Sequence, residues 1–236
     1  MAYTGLLKDF IGGGLASALP SAATLGPTIP AGQSAFYFAT DTNVLYRLAG
    51  GDVVWQIAAA GGGGSLVLLE QHTASNSASL DFTTAITATY DEYQIEFIDL
   101  LPATNSVGLN MLMSTNGGSS YDTGANYGYI VKASNRFGDT TAGADSGANA
   151  LPLIRGGVIA NTASTSLSGS CKLFNPGGAN YKNVVGNFGY FAGANLELGA
   201  TNGFYLISTA VNAFRILFTS GNITSGTVRV YGIAKV

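Results

Sequence analysis

The residues that could carry out covalent chemistry are few, because this 236-residue chain has one histidine and one cysteine. His72 is the only imidazole available to a catalytic triad, and the chain has no G-x-S-x-G nucleophile elbow. The stretch around it, EQHTASNS, is typical of a strand that runs into a turn, so a surface or capped histidine is the favoured interpretation. As the single cysteine, Cys171 can form neither an intramolecular disulfide nor a cysteine-rich zinc site, and its place on the apolar side of a strand predicts a small core residue.

A second chemistry that the side chains could support is glycoside hydrolysis, which needs two carboxyl groups flanking one bond. The densest acids are Asp91, Glu92, Glu96 and Asp99. Glu92 and Glu96 fall on the polar side of the alternating stretch DEYQIEF, where solvated acids belong. A structural role for these acids is therefore favoured over catalysis.

Metal and cofactor sites are not predicted either. Asp122, Asp139 and Asp145 could offer oxygen ligands to calcium, but they lack the spacing of an EF-hand loop. Isolated loop aspartates usually form turns. The glycine triplet at residues 12–14 lacks the Gly-Lys-Ser/Thr ending of a phosphate-binding loop. We predict a protein that is not an enzyme and has no catalytic, cofactor or metal site.

The composition limits the partners. Charged residues make up 10% of the chain, the formal net charge is −3 and no basic cluster is present. Nucleic acid and anionic lipid are therefore disfavoured as partners, because both attract a concentrated Lys/Arg surface. No stretch approaches the roughly 20 apolar residues of a membrane-spanning helix, and the start, MAYTGLLKDFIGGGLASALPSAA, is interpreted as retained rather than as a signal peptide. The low charge favours a surface that neighbouring proteins cover.

Aromatic side chains give the sequence its clearest capacity for binding, since it has 12 Tyr and 12 Phe. Several occur in loop-like places: Tyr121, Tyr127, Tyr129, Phe137, Tyr181 and Tyr190. A ring can stack on the apolar face of a sugar while amides or carboxylates bind the hydroxyl groups. The same side chains suit a subunit interface, and for any one of them the interface is favoured.

The stretch SNRFGDTTAGADSGANALP, residues 134–152, is the exception. It is rich in small residues, and structureless loops of this length are often functional. We predict a long loop here that faces a receptor. Its candidate residues are Asn135, Arg136, Phe137, Asp139 and Asp145.

The elements that must position these residues are β-strands. Tyr93, Ile95 and Phe97 alternate with polar residues, as expected for a half-buried strand. The pattern recurs in Val107, Leu109, Met111 and Met113; in Leu167, Cys171 and Leu173; in Phe214, Ile216 and Phe218; and in Val228 and Val230. No segment beyond Ser65 has a convincing helical period. The sequence predicts an all-β fold with an antiparallel, jelly-roll-like β-sandwich over residues 66–236.

Three shorter regions precede the sandwich. Residues 1–34 carry helix-spaced apolar residues followed by glycines and prolines, which predicts an extended anchoring arm; a disordered terminus fits equally well. The candidate anchoring residues are Leu6, Leu7, Phe10 and Ile11. Residues 35–57 predict a small β-meander of three strands with Asp, Asn and Gly in its turns. Residues 58–65, AAAGGGGS, predict a glycine-rich linker.

Three stretches resemble virion proteins of tailed bacteriophages. The run AFYFATDTNVLYRLAGGDVVWQI resembles a short module of those proteins, with a Thr-Asp-Thr turn, Leu-Tyr and a Trp strand. The segment YDEYQIEFIDLLPATNSVGLNMLMSTNGGSSYDTGANYGY is similar to sandwich domains of phage tail fibres and spikes, and GTVRVYGIAKV is similar to their last strand. The resemblance implies a virion structural protein, usually a homotrimer, whose N-terminal part attaches to the particle while the sandwich faces the host. It supplies no catalytic residues.

Three functions are compared with the structure below. The first is a fibre or spike subunit on the virion surface, with copies of itself and a neighbouring virion protein as partners and host cell-surface polysaccharide as the adsorption target. The second is a capsid decoration or collar protein that contacts only other virion proteins. The third is a free carbohydrate-binding module or a small glycan hydrolase.

Overall fold

The computed structural model describes residues 66–138 and 140–234, together with the backbone of four earlier segments, 10–14, 34–39, 44–49 and 53–57. The chain divides into two compact units, Met1–Gly62 and Gly63–Val236. The described residues form strands joined by turns, with no helix among them. The predicted all-β class is therefore confirmed.

The first unit contains a four-stranded sheet. Its strands are β1 (Phe10–Gly14), β2 (Ser34–Ala39), β3 (Val44–Ala49) and β4 (Val53–Ile57). Strands β2, β3 and β4 pair antiparallel in chain order, as a meander, while β1 pairs parallel to β2. The helical spacing of the candidate anchoring residues is not realised at Phe10 and Ile11, which lie in β1, because the glycines that follow oppose a helix and the edge of β2 offers backbone partners. Leu6 and Leu7 lie outside the described residues.

The second unit contains twelve strands. They are β5 (Leu66–Thr73), β6 (Leu80–Phe82), β7 (Glu92–Pro102), β8 (Leu109–Ser114), β9 (Tyr127–Asn135), β10 (Thr140–Ala148), β11 (Leu151–Pro152), β12 (Leu167–Phe174), β13 (Lys182–Ala192), β14 (Asn195–Tyr205), β15 (Ala213–Phe218) and β16 (Ile223–Ile233). A large sheet has the order β10-β9-β14-β13-β12-β7-β16-β5, and a small sheet has the order β11-β8-β15-β6. Every neighbouring pair is antiparallel.

Eight of these strands form a jelly roll. Strands β5, β16, β7 and β12 of the large sheet alternate along the chain with β6, β15, β8 and β11 of the small sheet, in the order that two Greek keys require. The apolar side of each sheet faces the other, because alternate residues of a strand point to opposite faces. The predicted jelly-roll-like sandwich is therefore confirmed.

Two hairpins are inserted into this frame, and both enlarge the same sheet. Hairpin β9–β10 lies between β8 and β11 in the chain, and hairpin β13–β14 lies between β12 and β15. Together they extend the large sheet beyond β12 by four strands, while the small sheet ends at β11. The large sheet consequently overhangs the margin of the small sheet.

The prediction of a long loop over residues 134–152 is wrong, because most of these residues form strands. Strand β9 continues to Asn135, a short turn follows, and β10 occupies Thr140–Ala148 as an edge strand paired with β9. The side chains of β10 are exposed on both faces of the sheet. An edge strand of this kind buries no apolar face, so backbone pairing alone defines it and its sequence shows no alternation.

The core confirms the predicted inward faces. Tyr93, Ile95 and Phe97 of β7 are buried, and so are the other alternating residues: Val107, Leu109, Met111, Met113, Leu167, Leu173, Phe214, Ile216, Phe218, Val228 and Val230. Cys171 is also buried among them, as predicted for a small core residue. Ring pairs also pack within each sheet, with Phe82 of β6 stacked on its strand partner Phe214 of β15 at 4.8 Å between centroids. Each fully buried large apolar side chain contributes about 1.5–3 kcal/mol to stability, so this interior holds the frame from which the hairpins project.

Candidate functional site

A groove opens where the large sheet overhangs the small one. Its volume is about 520 Å³, and its walls come from β9, β10, β11, the start of β8, the segments on either side of β11 and Thr219 after β15. Tyr129 and Val131 of β9 form part of the floor, on the same face of the strand as the core residue Tyr127. The groove lies where β9 and β10 extend the large sheet past β11, the last strand of the small sheet.

The lining combines one aromatic ring with five polar side chains. These residues are Tyr129, Asn110, Thr141, Asn149, Arg155 and Thr219. Much of the remaining lining is small, including Ala142, Gly143, Ala148 and Ala150. Small residues let a ligand approach the backbone closely, while the ring, amides, hydroxyls and guanidinium offer stacking and hydrogen bonds.

Arg155 is held in place by a buried carboxylate. Its Nε donates to Glu197 Oε2 at 2.9 Å and its Nη2 donates to Glu197 Oε1 at 2.5 Å. Glu197 lies on the inner face of β14 and is 6% exposed, whereas the Arg155 side chain is 26% exposed. The bidentate bond fixes the plane of the guanidinium. Arg155 lines the groove, and the pair with Glu197 uses only its Nε and Nη2 groups.

Gly199 leaves space for the Tyr190 ring, which packs beside the Arg155–Glu197 pair. Tyr190 of β13 is buried, and a Cβ added at Gly199 would lie 2.9 Å from its ring. The ring therefore crosses the inner face of β14 directly beside Glu197, which is two residues earlier on the same face. Burial raises the pKa of Tyr190, so its hydroxyl stays protonated next to the carboxylate.

The electrostatics of the groove suit a neutral ligand. Glu197 offsets the charge of Arg155, and the hydrogen bonds from Arg155 hold the pKa of Glu197 below its usual range. The other polar lining residues, Asn110, Thr141, Asn149 and Thr219, carry no charge. A ligand with many hydroxyl groups and an apolar ring face, such as a saccharide, matches this set of side chains.

The predicted receptor-facing residues lie outside the groove lining. Asn135 ends β9, and its Oδ1 accepts a hydrogen bond from the Phe137 N–H at 2.9 Å in the hairpin turn. Arg136 lies over the Phe137 ring, 4.6 Å from its centroid, and Phe137 is 66% exposed. Asp145 lies in β10 and accepts hydrogen bonds from the N–H groups of Ser146 and Gly147. Asp139 lies outside the described residues.

The six aromatics predicted in loop-like places have different roles. Tyr127, Tyr129 and Tyr190 lie in strands, so the prediction of a loop position is wrong for these three; Tyr127 and Tyr190 are also buried. Tyr129 lines the groove, and Tyr121 lies under the Arg215 guanidinium at 4.1 Å. Phe137 and Tyr181 are exposed, at 66% and 57%.

His72 contacts a carboxylate that already has a structural role. Its Nε2 lies 2.8 Å from Glu70 Oε1, and Glu70 also accepts hydrogen bonds from the N–H groups of Thr84 and Ala85. This arrangement fits a capped histidine that stabilises a turn. Among the described residues, no group of three or more His, Cys, Asp or Glu side chains could hold a metal ion. No helix in the same part of the chain is long and apolar enough to cross a membrane.

Acid is expected to weaken the sandwich through its arginine-bound carboxylates. Hydrogen bonds from Arg215 lower the pKa of Asp81 from 3.8, and hydrogen bonds from Arg155 lower that of Glu197 from 4.5. The unfolded chain then takes up protons at a higher pH than the folded chain does. The free energy of unfolding should therefore fall as the pH drops through and below these values. Urea denaturation at neutral and acidic pH measures it, and the fall should be smaller in Glu197→Gln; an equal fall in that variant would contradict the assignment.

Sequence reasoning missed Arg155, Asn110 and Glu197. Arg155 and Glu197 are 42 residues apart, so only the strand order brings them together. No family model, curated protein or solved structure matches the chain. The site is therefore interpreted from its geometry.

Proposed function

We propose that this protein is a non-enzymatic virion structural protein, a fibre or spike subunit whose β-sandwich adsorbs to host-surface glycan through the groove. The observation that carries the proposal is the lining of the groove, where the Tyr129 ring is combined with uncharged amides and hydroxyls and with an arginine neutralised by Glu197. The resemblance of the sequence to phage fibre and spike proteins supplies the virion setting.

The state of Glu197 supports binding rather than hydrolysis. A glycosidase needs one carboxyl group with a raised pKa as the general acid. Glu197 has a lowered pKa, and both of its oxygens accept hydrogen bonds from Arg155. Such a carboxylate orients a neighbour and does not donate a proton.

Adsorption of this kind depends on several copies acting together. A shallow groove with one ring and a few hydrogen bonds gives a weak single contact. Several copies carried on one particle raise the effective affinity without any new contact. In the proposal, residues 1–34 attach the subunit to a neighbouring virion protein.

The test is glycan binding by the full chain and by a Tyr129→Ala variant. Loss of the ring should weaken binding about fivefold, since a stacking contact is worth about 1 kcal/mol. A matched control is Tyr181→Ala, because Tyr181 is 57% exposed and lies outside the groove. Binding that is equally weakened in both variants, or no binding of any glycan on an array, would contradict the proposal.

A capsid decoration or collar protein is the second candidate. The low charge of the chain, 10% of residues, favours a surface covered by other proteins. Such a protein would not adsorb to cells. Adsorption of the labelled chain to the host of the virus, and its loss with Tyr129→Ala, would favour the fibre or spike subunit.

A further inference from the structure

The outer face of the inserted hairpins exposes large apolar side chains. In β14 the usual alternation is inverted, because Leu196, Leu198 and Phe204 point outward while Glu197 and Thr201 point inward. The three outward side chains are 51%, 62% and 41% exposed. A strand that turns leucines to solvent and a glutamate to the interior has apolar surface that the described part of the chain leaves uncovered.

Neighbouring strands extend this surface. We define the apolar face as Leu196, Leu198, Phe204, Val185 and Ile130, with Val185 and Ile130 exposed at 42% and 59%. In the pairing register, Asn202 of β14 lies between Val185 of β13 and Ile130 of β9. Leu198 is flanked by Gly189 and Ser134, and Ala200 lies between the two rows. The apolar side chains therefore share one face, with Asn202, Asn187 and Lys132 between them.

The other half of the same outer face is more polar, although Leu66 and Leu68 of its edge strand β5 are 44% and 53% exposed. On β7, β12 and β16 it carries charged residues that find partners across the strands. Lys172 lies 3.4 Å from Glu92, and Arg229 donates to Gln71 at 2.8 Å. On β13, β14 and β9, Lys132 is the one charged residue among the described outward-facing residues. The boundary between the two halves coincides with the end of the eight-stranded frame.

The area is sufficient for a stable contact. Strands β13 and β14 have 11 residues each and β9 has nine. Three strands of this length cover a footprint of about 14 Å by about 33 Å, roughly 500 Å². Two such faces together bury about 1,000 Å², the lower limit for a specific protein interface. A second copy offers a sheet face of the same shape, and two such faces can pack against each other.

We propose that a second copy of this chain covers the apolar face. A two-fold axis along β14 would place Lys132 of each copy opposite Asn187 of the other, because Lys132, Ala200 and Asn187 share one row across the sheet. Like charges would then not meet, and each ammonium would face an amide. The saccharide groove lies on the opposite face of β9, where Tyr129 and Val131 alternate with Ile130 and Lys132. Association therefore leaves both grooves open.

The test is the mass of the full chain in solution, measured by light scattering at increasing protein concentration. The native chain should be larger than a monomer. Leu198→Glu places a carboxylate at the centre of the face and should raise the dissociation constant about a hundredfold. The folded monomer should tolerate the change, since Leu198 is 62% exposed.

The control is Gln71→Glu, which adds the same charge to the polar half of the same outer face. There Arg229, which already donates to Gln71, can donate to the new carboxylate. This variant should leave the mass unchanged. A native chain that is monomeric at every concentration, or an assembly that Leu198→Glu and Gln71→Glu affect equally, would overturn the proposal. Glycan binding does not enter this test, so its outcome is independent of the proposed function.

Discussion

Replacing Lys182 by methionine is expected to lower the free energy of unfolding of the sandwich by about 3 kcal/mol. Lys182 is fully buried at the start of β13, and its Nζ donates to the carbonyl oxygens of Gly178, Asn180 and Ser208 at 2.6, 2.5 and 3.2 Å. Methionine fills a similar volume but has no donor. Three carbonyl oxygens would lose their charged donor, which outweighs the relief of no longer burying a charge.

The control for this variant is Lys172→Met. Lys172 lies on the neighbouring strand β12, is 44% exposed, and forms a surface pair with Glu92 at 3.4 Å. Its loss should cost less than about 1 kcal/mol. Urea denaturation followed by circular dichroism is the suitable measurement, since the single tryptophan, Trp55, lies in the first unit. Equal losses in the two variants would show that the buried ammonium does not stabilise the hairpin.

Alanine at Gly226 is expected to destabilise the sandwich by more than about 3 kcal/mol. Gly226 has a φ of 112°, and an added Cβ would lie 2.6 Å from the carbonyl oxygen of Asp99 and 2.7 Å from Leu100 Cα. Both contacts are with backbone atoms, so no side chain can move aside. The residue lies where the register of β16 against β7 shifts between Ser225 and Thr227, and both strands are paired on each side in the large sheet.

Gly117 allows the cost of the positive φ to be separated from the cost of the close backbone contacts at Gly226. Gly117 also has a positive φ, 70°, but nothing lies within 4 Å of its added Cβ. Gly117→Ala should cost about 1 kcal/mol, the penalty of the left-handed backbone alone. If Gly226→Ala cost no more than Gly117→Ala in urea denaturation, the close approach of β16 and β7 would not be a constraint on this sequence.

The frame was predictable from the sequence because its strands each bury one face. Alternation at Tyr93, Ile95 and Phe97, and again at Phe214 and Ile216, follows directly from the pleat. The jelly-roll order then follows from the few ways of packing two antiparallel sheets.

The inserted hairpins were not predictable by the same rule. In β14 the residues that look like a core, Leu196 and Leu198, face outward, while Glu197 faces inward and binds Arg155. In β13, glycines interrupt the apolar face, since Gly186 would place a Cβ 2.6 Å from Cys171 Cβ. Strand β10 has no buried face. Local patterning does not predict which way a strand faces when a buried side chain binds a residue distant in the chain, as Glu197 binds Arg155. It also does not predict a strand such as β10, which is held by backbone pairing alone.

The groove could not be predicted because it depends on strand order. Tyr129 was recognised as a candidate for stacking on a sugar, yet its neighbours Asn110 and Arg155 come from other parts of the chain. They meet because β9 pairs with β14 and not with a strand of the small sheet. No local signal in the sequence encodes that choice.

Because β9–β10 is attached through β14, it depends on hairpin β13–β14 for its place in the sheet, whereas β13–β14 does not depend on β9–β10. Removing β9–β10 would leave β14 as an ordinary sheet edge, whereas removing β13–β14 would take away the only strand that joins β9–β10 to the large sheet. The sheet can therefore be shortened only from its rim toward β12. A lineage of such proteins would have acquired β13–β14 before β9–β10. Later changes in β9–β10 would alter the lining of the groove and leave the jelly-roll frame unchanged.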